Sequence, residues 1–233
     1  MKKNILILSS AILLTGLIFV NGCKKDDTTA PVVTLVGAST VTVSLQGTYN
    51  DQGATANDDE DGAITPTNNV SSTNPNLNQT GTYTITYSAT DKAGNTGTAT
   101  RTVIVKNDAD ILVGTYLVSE DGFTTSWTQT VTADQTHNNR ILFSKFANYS
   151  NNTGIYASVV GSSVELPTAQ NGVGIGASGC THTFTPNGTG TIPVALVSGK
   201  YNFSIKFTDQ EQMGGTGCPG TGAVAYEDVF HQQ

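Results

Sequence analysis

Gly81-Thr-Tyr-Thr-Ile-Thr-Tyr-Ser-Ala-Thr90 alternates without a break: Tyr83, Ile85, Tyr87 and Ala89 fall on one side, threonines and a serine on the other. A period of two places successive side chains on opposite faces of a strand, so one face is buried and the other wet. Asp91-Lys-Ala-Gly-Asn95 follows, a run of turn formers, and then the alternating segment Thr98 to Val105. Two such segments joined by an Asp/Gly/Asn turn predict an antiparallel hairpin. Upstream, Pro31 to Val36 and Thr40 to Leu45 are short strands parted by Gly37 to Ser39. From residue 30 to 106 the pattern is all-β.

Lys106-Asn-Asp-Ala-Asp110 is a polar break and is read as a domain boundary across which few contacts are expected. Beyond it, segments 111–118, 126–132, 140–147, 155–160, 191–197 and 200–208 are strand candidates. The clearest is the last, where Tyr201, Phe203, Ile205 and Phe207 alternate with Asn202, Ser204, Lys206 and Thr208. Ser198-Gly199 in front of it reads as a two-residue hairpin turn to the preceding strand. No stretch after Val20 keeps a helical period, so residues 111–233 are expected to form a second antiparallel β-sandwich or barrel.

The amino end has another character. Lys2-Lys3, an apolar run from Ile5 to Val20 and a small residue before the cut outline a secretory signal, too short for comfortable reading as a permanent span. Val20-Asn-Gly-Cys23 resembles the lipobox of bacterial lipoproteins, in which a peptidase cuts before a lipid-modified cysteine; Asn21 is less usual there than Ala or Ser. The resemblance implies a signal peptide over residues 1–22, lipidation of Cys23, a tether over 23–29 and a membrane partner through the lipid. Acidic residues soon after such a cysteine, here Asp26 and Asp27, resemble the signal some Gram-negative bacteria use to carry lipoproteins to the outer face of the outer membrane. A solvated linker is the plain alternative.

Processing removes Lys2 and Lys3 and no acid, leaving 211 residues and moving the formal charge from −7 to −9. A chain so acidic has no basic face for nucleic acid. Charged residues make up only 12% of the sequence, which suits strands and tight turns in an exported protein. With Cys23 assigned to lipid, Cys180 and Cys218 remain as an even pair in an exported chain, for which a disulfide is the default; two buried thiols are the alternative.

Five blocks carry a family resemblance: Thr29-Ala-Pro-Val-Val-Thr-Leu35, Tyr49-Asn-Asp-Gln-Gly-Ala-Thr-Ala56, Asp61-Gly-Ala-Ile-Thr65, Gly81-Thr-Tyr-Thr-Ile-Thr-Tyr87 and Asp91-Lys-Ala-Gly-Asn-Thr96. In this order they are similar to the bacterial surface immunoglobulin-like domain also found in pesticidal crystal proteins, over about residues 28–106. The resemblance implies a β-sandwich used as a spacer or adhesive module, with no catalytic residues to transfer. The segment has neither a cysteine pair nor a tryptophan, so the pin of an antibody domain is absent. Residues 111–233 show only Gly114-Thr-Tyr116, faintly similar to the Gly-x-Trp opening of lipocalin-like barrels.

Few constellations point to chemistry. Asp58, Asp59 and Asp61, with Asp51, Asp91 and Asn95 elsewhere in the segment, form a dense set of hard oxygen ligands of the kind calcium takes, though not at EF-hand spacing. Calcium is thus the one cofactor candidate, and a solvated turn is the competing reading. Gly174-Ile-Gly-Ala-Ser-Gly179 has the letters of a dinucleotide loop but neither the strand before it nor the helix after it that such a loop requires. His137, His182 and His231 are scattered, without zinc spacing. Trp127 and Tyr116, with Phe123, Tyr149 and Tyr156, could form a sugar-stacking platform, although large aromatics more often belong to the core. The role expected is therefore presentation of a binding or adhesive β-domain to glycans or a surface protein. The alternatives are a hydrolase acting on polysaccharide with its site in 111–233 and a lipocalin-like carrier.

Overall fold

The computed structural model describes residues 26–120, 124–147, 154–173, 181–188, 190–191, 201–211 and 223–233. The chain is all-β, as the alternating segments predict. Its first unit is a sandwich of two sheets. One contains β1 (Val32–Leu35), β3 (Ala54–Asp58) and β4 (Gly62–Ile64) in that order. The other runs β2 (Thr40–Ser44), β7 (Thr96–Lys106), β6 (Gly81–Thr90) and β5 (Thr67–Asn68), with β2 parallel to β7.

The predicted hairpin is β6–β7, in register from Gly81 opposite Val105 to Thr90 opposite Thr96. Ile85, Tyr87 and Ala89 are buried, as the period of two requires. β1 and β2, neighbours in sequence, part at Gly37 and join opposite sheets; Gly37 takes the left-handed φ of +85° that glycine adopts without strain.

In place of a disulfide, the sandwich is pinned by Arg101. Its Nε donates to the Ala38 carbonyl at 3.0 Å, and its Nη atoms donate to the carbonyls of Val36 and Gly53, to Tyr87 Oη and to Asp51. Asp51 also accepts from the hydroxyls of Tyr49 and Tyr87. Asp51, read in the sequence beside possible calcium ligands, is thus committed to an internal ion pair.

The second unit is one antiparallel sheet of ten strands: β8 (Gly114–Glu120), β9 (Ser126–Ala133), β10 (Arg140–Phe143), β11 (Tyr156–Val160), β12 (Ser163–Glu165), β13 (Gln170–Val173), β14 (Thr181–Pro186), β15 (Gly190–Thr191), β16 (Asn202–Glu211) and β17 (Val224–Gln232). Their order is β13-β14-β16-β17-β8-β9-β10-β11-β12-β15. The sheet curls until it is nearly closed, with β15 lying against β16. At that seam a Cβ on Gly190 would stand 1.6 Å from the Ser204 carbonyl oxygen, so only glycine lets the two backbones meet.

Phenyl rings fill the interior. Phe203 and Phe230 stack at 4.3 Å, and Phe146 packs on Phe143, Phe184 and Phe207. β16 pairs with β14 and β17, while the segment before it, 192–200, with the expected turn Ser198-Gly199, lies outside the described residues. Residues 111–112, read as the opening of a strand, instead end a 3-10 helix over Asp108–Leu112.

The polar break is a joint made of hydrogen bonds, contrary to the expectation of few contacts. Asn107 is buried; its Nδ2 donates to the carbonyls of Asp134, His137 and Arg140, and its Oδ1 accepts from the backbone of Ala109 and Asn139. Ala109 and Leu112 belong to the second unit's core. From the first unit, Gln46 exchanges bonds with Thr136 and Asn138, Thr80 donates to the Gln135 carbonyl, and Ser44 donates to Asp108. Asparagine and aspartate, which look like linker residues in a sequence, are here satisfying buried backbone at the seam.

Candidate functional site

The inward faces of β8, β17, β16 and β9 carry apolar side chains over most of their length and acids at one end. On β8, Tyr116 and Val118 are fully buried and Glu120 follows two residues later. On β17, Phe230 is core and Asp228 comes two residues before it. Antiparallel pairing sets Asp228 directly opposite Glu120, so the two carboxyl groups leave adjacent strands on the same face. Tyr226 and Asp209 continue the inward rows of β17 and β16 toward the same end.

Asp228 is fully buried and neither carboxyl oxygen has a hydrogen-bond partner. Burial, then the charge of Glu120, push its carboxyl well above the ordinary aspartate range; the Ala147 N–H acts weakly the other way without making a full bond. Ala147 is itself a non-glycine residue in the left-handed region, at φ +48°. Glu120 is half-buried, and burial reinforced by the charge of Asp209 pushes its carboxyl up to about 7. Burial, Glu120 and Asp209 raise the Tyr226 hydroxyl as well. On neighbouring β9, Trp127 Nε1 and Gln129 Oε1 are buried without partners. Four of the five unpartnered buried polar atoms among the described residues therefore belong to Trp127, Gln129 and Asp228 of this unit. Unsatisfied groups of this kind cost roughly 1–3 kcal/mol each.

A protonated carboxyl both donates and accepts hydrogen bonds, so this end can recognise hydroxyl-rich neutral molecules, and it would resist a second anion. Glu120 and Tyr226, half-buried, form its rim, with Asp228 beneath them.

Residues 33–105 match the family of the bacterial surface protein Ig-like domain. The match gives the first unit its surface-protein character and agrees with the sandwich described above. No curated protein matches the chain. Among solved structures, a lipoprotein from Bacteroides thetaiotaomicron aligns with 87% of this chain and 100% of its own at 14% identity, with a TM-score of 0.30. A carbohydrate-binding module in complex with GlcNAc, with INT domains, from Clostridium perfringens ZmpB aligns with 87% of this chain and 44% of its own at 14% identity and a TM-score of 0.25. Neither overlap is close enough to place a ligand.

The residues singled out in the sequence are distributed differently. Tyr116 is fully buried, donates to the Leu112 carbonyl at 2.7 Å and meets Phe203 edge-on, so it has no face to offer a sugar. Trp127 also belongs to the core, 9% exposed, and offers its indole N–H rather than a stacking surface. Of the calcium candidates, Asp58 is buried, Asp59 points outward, and Asp61 holds Lys92 through both oxygens. Asp58 instead meets Asp91 of the β6–β7 turn and Asp27 of the tether. Cys23, Cys180, Cys218, Phe123, Tyr149 and the glycine-rich 174–179 lie outside the described residues. His137 pairs with Asp134 at 3.3 Å, on the surface.

The sequence reading missed Glu120, Asp228, Tyr226 and Asp209. Their signal was present in Ala225-Tyr-Glu-Asp-Val-Phe230, whose alternation is interrupted by an acid at a core position.

Proposed function

We propose that this is a lipid-anchored surface protein whose Ig-like unit is a stiff spacer and whose C-terminal β-domain offers the Glu120–Asp228 end to a neutral, hydroxyl-rich ligand, a glycan in the first instance. Lipidation at Cys23, a signal peptide over 1–22 and display at the outer membrane belong to this reading, as does a Cys180–Cys218 bridge. The observation that carries it is the linear order of three stations. Asp27, where the tether enters, lies at the end of the Ig-like unit marked by the β6–β7 turn; the hydrogen-bonded joint lies at the other end of β6 and β7. In the second unit, the joint occupies the end with the Asp134–Arg140 turn and the start of β8, and the acids lie away from it, at the finish of β8 and the middle of β17. At about 3.3 Å per residue, β6 alone sets the joint roughly 30 Å from the tether, and β8 adds roughly 20 Å more. Glu120 and the unpartnered Asp228 thus sit toward the side of the second unit away from the anchor.

A second reading, hydrolysis of a glycan, is favoured by one observation: burial pushes the Glu120 carboxyl up to about 7, in the range a general acid requires. The phenyl-filled interior favours neither a large cavity nor the carrier reading.

The test is a neutral-glycan array probed with the full chain, followed by titration of hits with Glu120→Ala. Retention of a glycan, weakened about tenfold or more by the substitution, supports the reading; that loss corresponds to about 1.4 kcal/mol, one good hydrogen bond. Consumption of the glycan, abolished in Glu120→Gln, moves the assignment to the hydrolase. No retained glycan, or equal binding by the variant, overturns both.

A further inference from the structure

We propose that Asp27, Asp58 and Asp91 form a calcium site that clamps the tether to the Ig-like unit. The three residues come from separate segments: Asp27 precedes β1, Asp58 ends β3 and Asp91 opens the β6–β7 turn. One carboxylate oxygen from each lies within 4.8 Å of the other two. Local hydrogen bonds fix their directions. Asp58 Oδ1 accepts from the backbone of Glu60 and Asp61, Asp91 accepts from the backbone and the side-chain amide of Asn95, and Asp27 Oδ1 accepts from the backbone of Thr29. Asn95 Nδ2 also donates to the Asp27 carbonyl, joining tether and turn directly.

Proximity of acids alone would describe a solvated surface. The separate observation is Asp58: the residue is 3% exposed, and its Oδ2 is fully buried with no hydrogen-bond partner. A buried carboxylate with one oxygen left without a donor, grouped with two further carboxylates, is unfavourable unless a cation completes the group. Lys92, the nearby ammonium, is held by Asp61 at 2.8 Å with its side chain 85% exposed, and so balances the outer acid of the same turn.

Oxygen-only donors specify a hard cation. Calcium takes six to eight oxygens in flexible geometry, whereas magnesium requires near-ideal octahedral geometry and keeps several waters. Three carboxylates brought together from three separate segments suit the more tolerant ion, with carbonyls or water completing its shell. Bound calcium would make Asp27 part of the rigid body, so that little free chain separates the lipid from the sandwich. This inference concerns the anchor end and is independent of what the far tip binds.

Calorimetric titration of the full chain, purified in detergent and stripped with EGTA, tests it. The expected result is uptake of one calcium per chain with a rise in the melting temperature of the Ig-like unit, read by scanning calorimetry as the transition that Trp127 fluorescence does not follow, and much weaker uptake of magnesium. Asp27 lies outside every strand, so Asp27→Asn leaves the fold in place; it should weaken calcium binding about tenfold or more, whereas Asp59→Asn, outward-facing, should not change it. No stoichiometric calcium uptake by the wild type, equal affinity in Asp27→Asn, an equal loss in Asp59→Asn or equal binding of magnesium would each overturn the assignment.

Discussion

Raising the pH from 4.5 to 7.5 should destabilise the C-terminal domain, and Glu120 is one cause. In the unfolded chain a glutamate loses its proton near 4.5; in the folded domain burial and Asp209 hold it until about 7. The folded state therefore binds more protons over this interval. Stability falls as pH rises through it and levels off above the folded value, the reverse of a carboxylate in an ion pair. A shift of this size corresponds to about 3 kcal/mol without solvent screening, and to roughly 1.5 kcal/mol for a rim group partly open to water. In a domain of this size that is roughly 5 °C in melting temperature. Trp127, the single tryptophan of the chain, lies in the core of this domain, so its fluorescence follows this transition alone. Asp228, raised well above the ordinary aspartate range by burial, and Asp110, raised by burial at the joint, titrate in the same direction, so the decisive comparison is between variants. Glu120→Gln should reduce the fall between pH 4.5 and 7.5, and adding Asp228→Asn should flatten the profile further. A melting temperature that is constant or rises with pH in the wild type, or a fall of full size in Glu120→Gln, would refute the reasoning.

Arg101→Met should cost the Ig-like unit roughly 3–5 kcal/mol, because Asp51 is left in the interior without its counter-ion. Urea unfolding read by far-ultraviolet circular dichroism, with the transition of the second unit identified by Trp127 fluorescence, checks this, and a loss under about 1 kcal/mol would mean that the Tyr49 and Tyr87 hydroxyls satisfy Asp51 unaided. Those hydroxyls, a backbone N–H and Arg101 outweigh burial and hold the Asp51 carboxyl below its ordinary range, so the wild-type contribution should persist down to about pH 4 and be lost below it. Gly190→Ala should open the seam of the second unit at a cost of about 2 kcal/mol or more, since all three nearest atoms, the Ser204 carbonyl oxygen and carbon and the Val164 carbonyl oxygen, are backbone and cannot turn aside. A Trp127 unfolding midpoint equal to wild type would show that the seam yields.

Periodicity determined the strand content. Gly81 to Thr90 and Asn202 to Thr208 state their buried faces outright, because a strand's side chains alternate whatever it packs against. The order of blocks from Thr29 to Thr96 likewise carried the Ig-like reading, borne out over residues 33–105. Pairing between distant segments is not written locally. Nothing in Thr40 to Ser44 says that it runs parallel to β7, and nothing in Asn202 to Glu211 says that its partners are β14 and β17, because those choices depend on how two sheets close over one core. The same holds for polar residues. Asp51, Asp58, Asn107 and Asp228 look alike as surface or turn formers in the sequence. Tertiary structure made the first a counter-ion, the second a wall of an acidic cluster with one oxygen left without a partner, the third the hub of a joint and the fourth a buried acid whose carboxyl is held well above its ordinary range. A carboxyl or amide takes its chemistry from whatever is within hydrogen-bonding reach and from how much water it has lost, and both are set by chain segments tens of residues away.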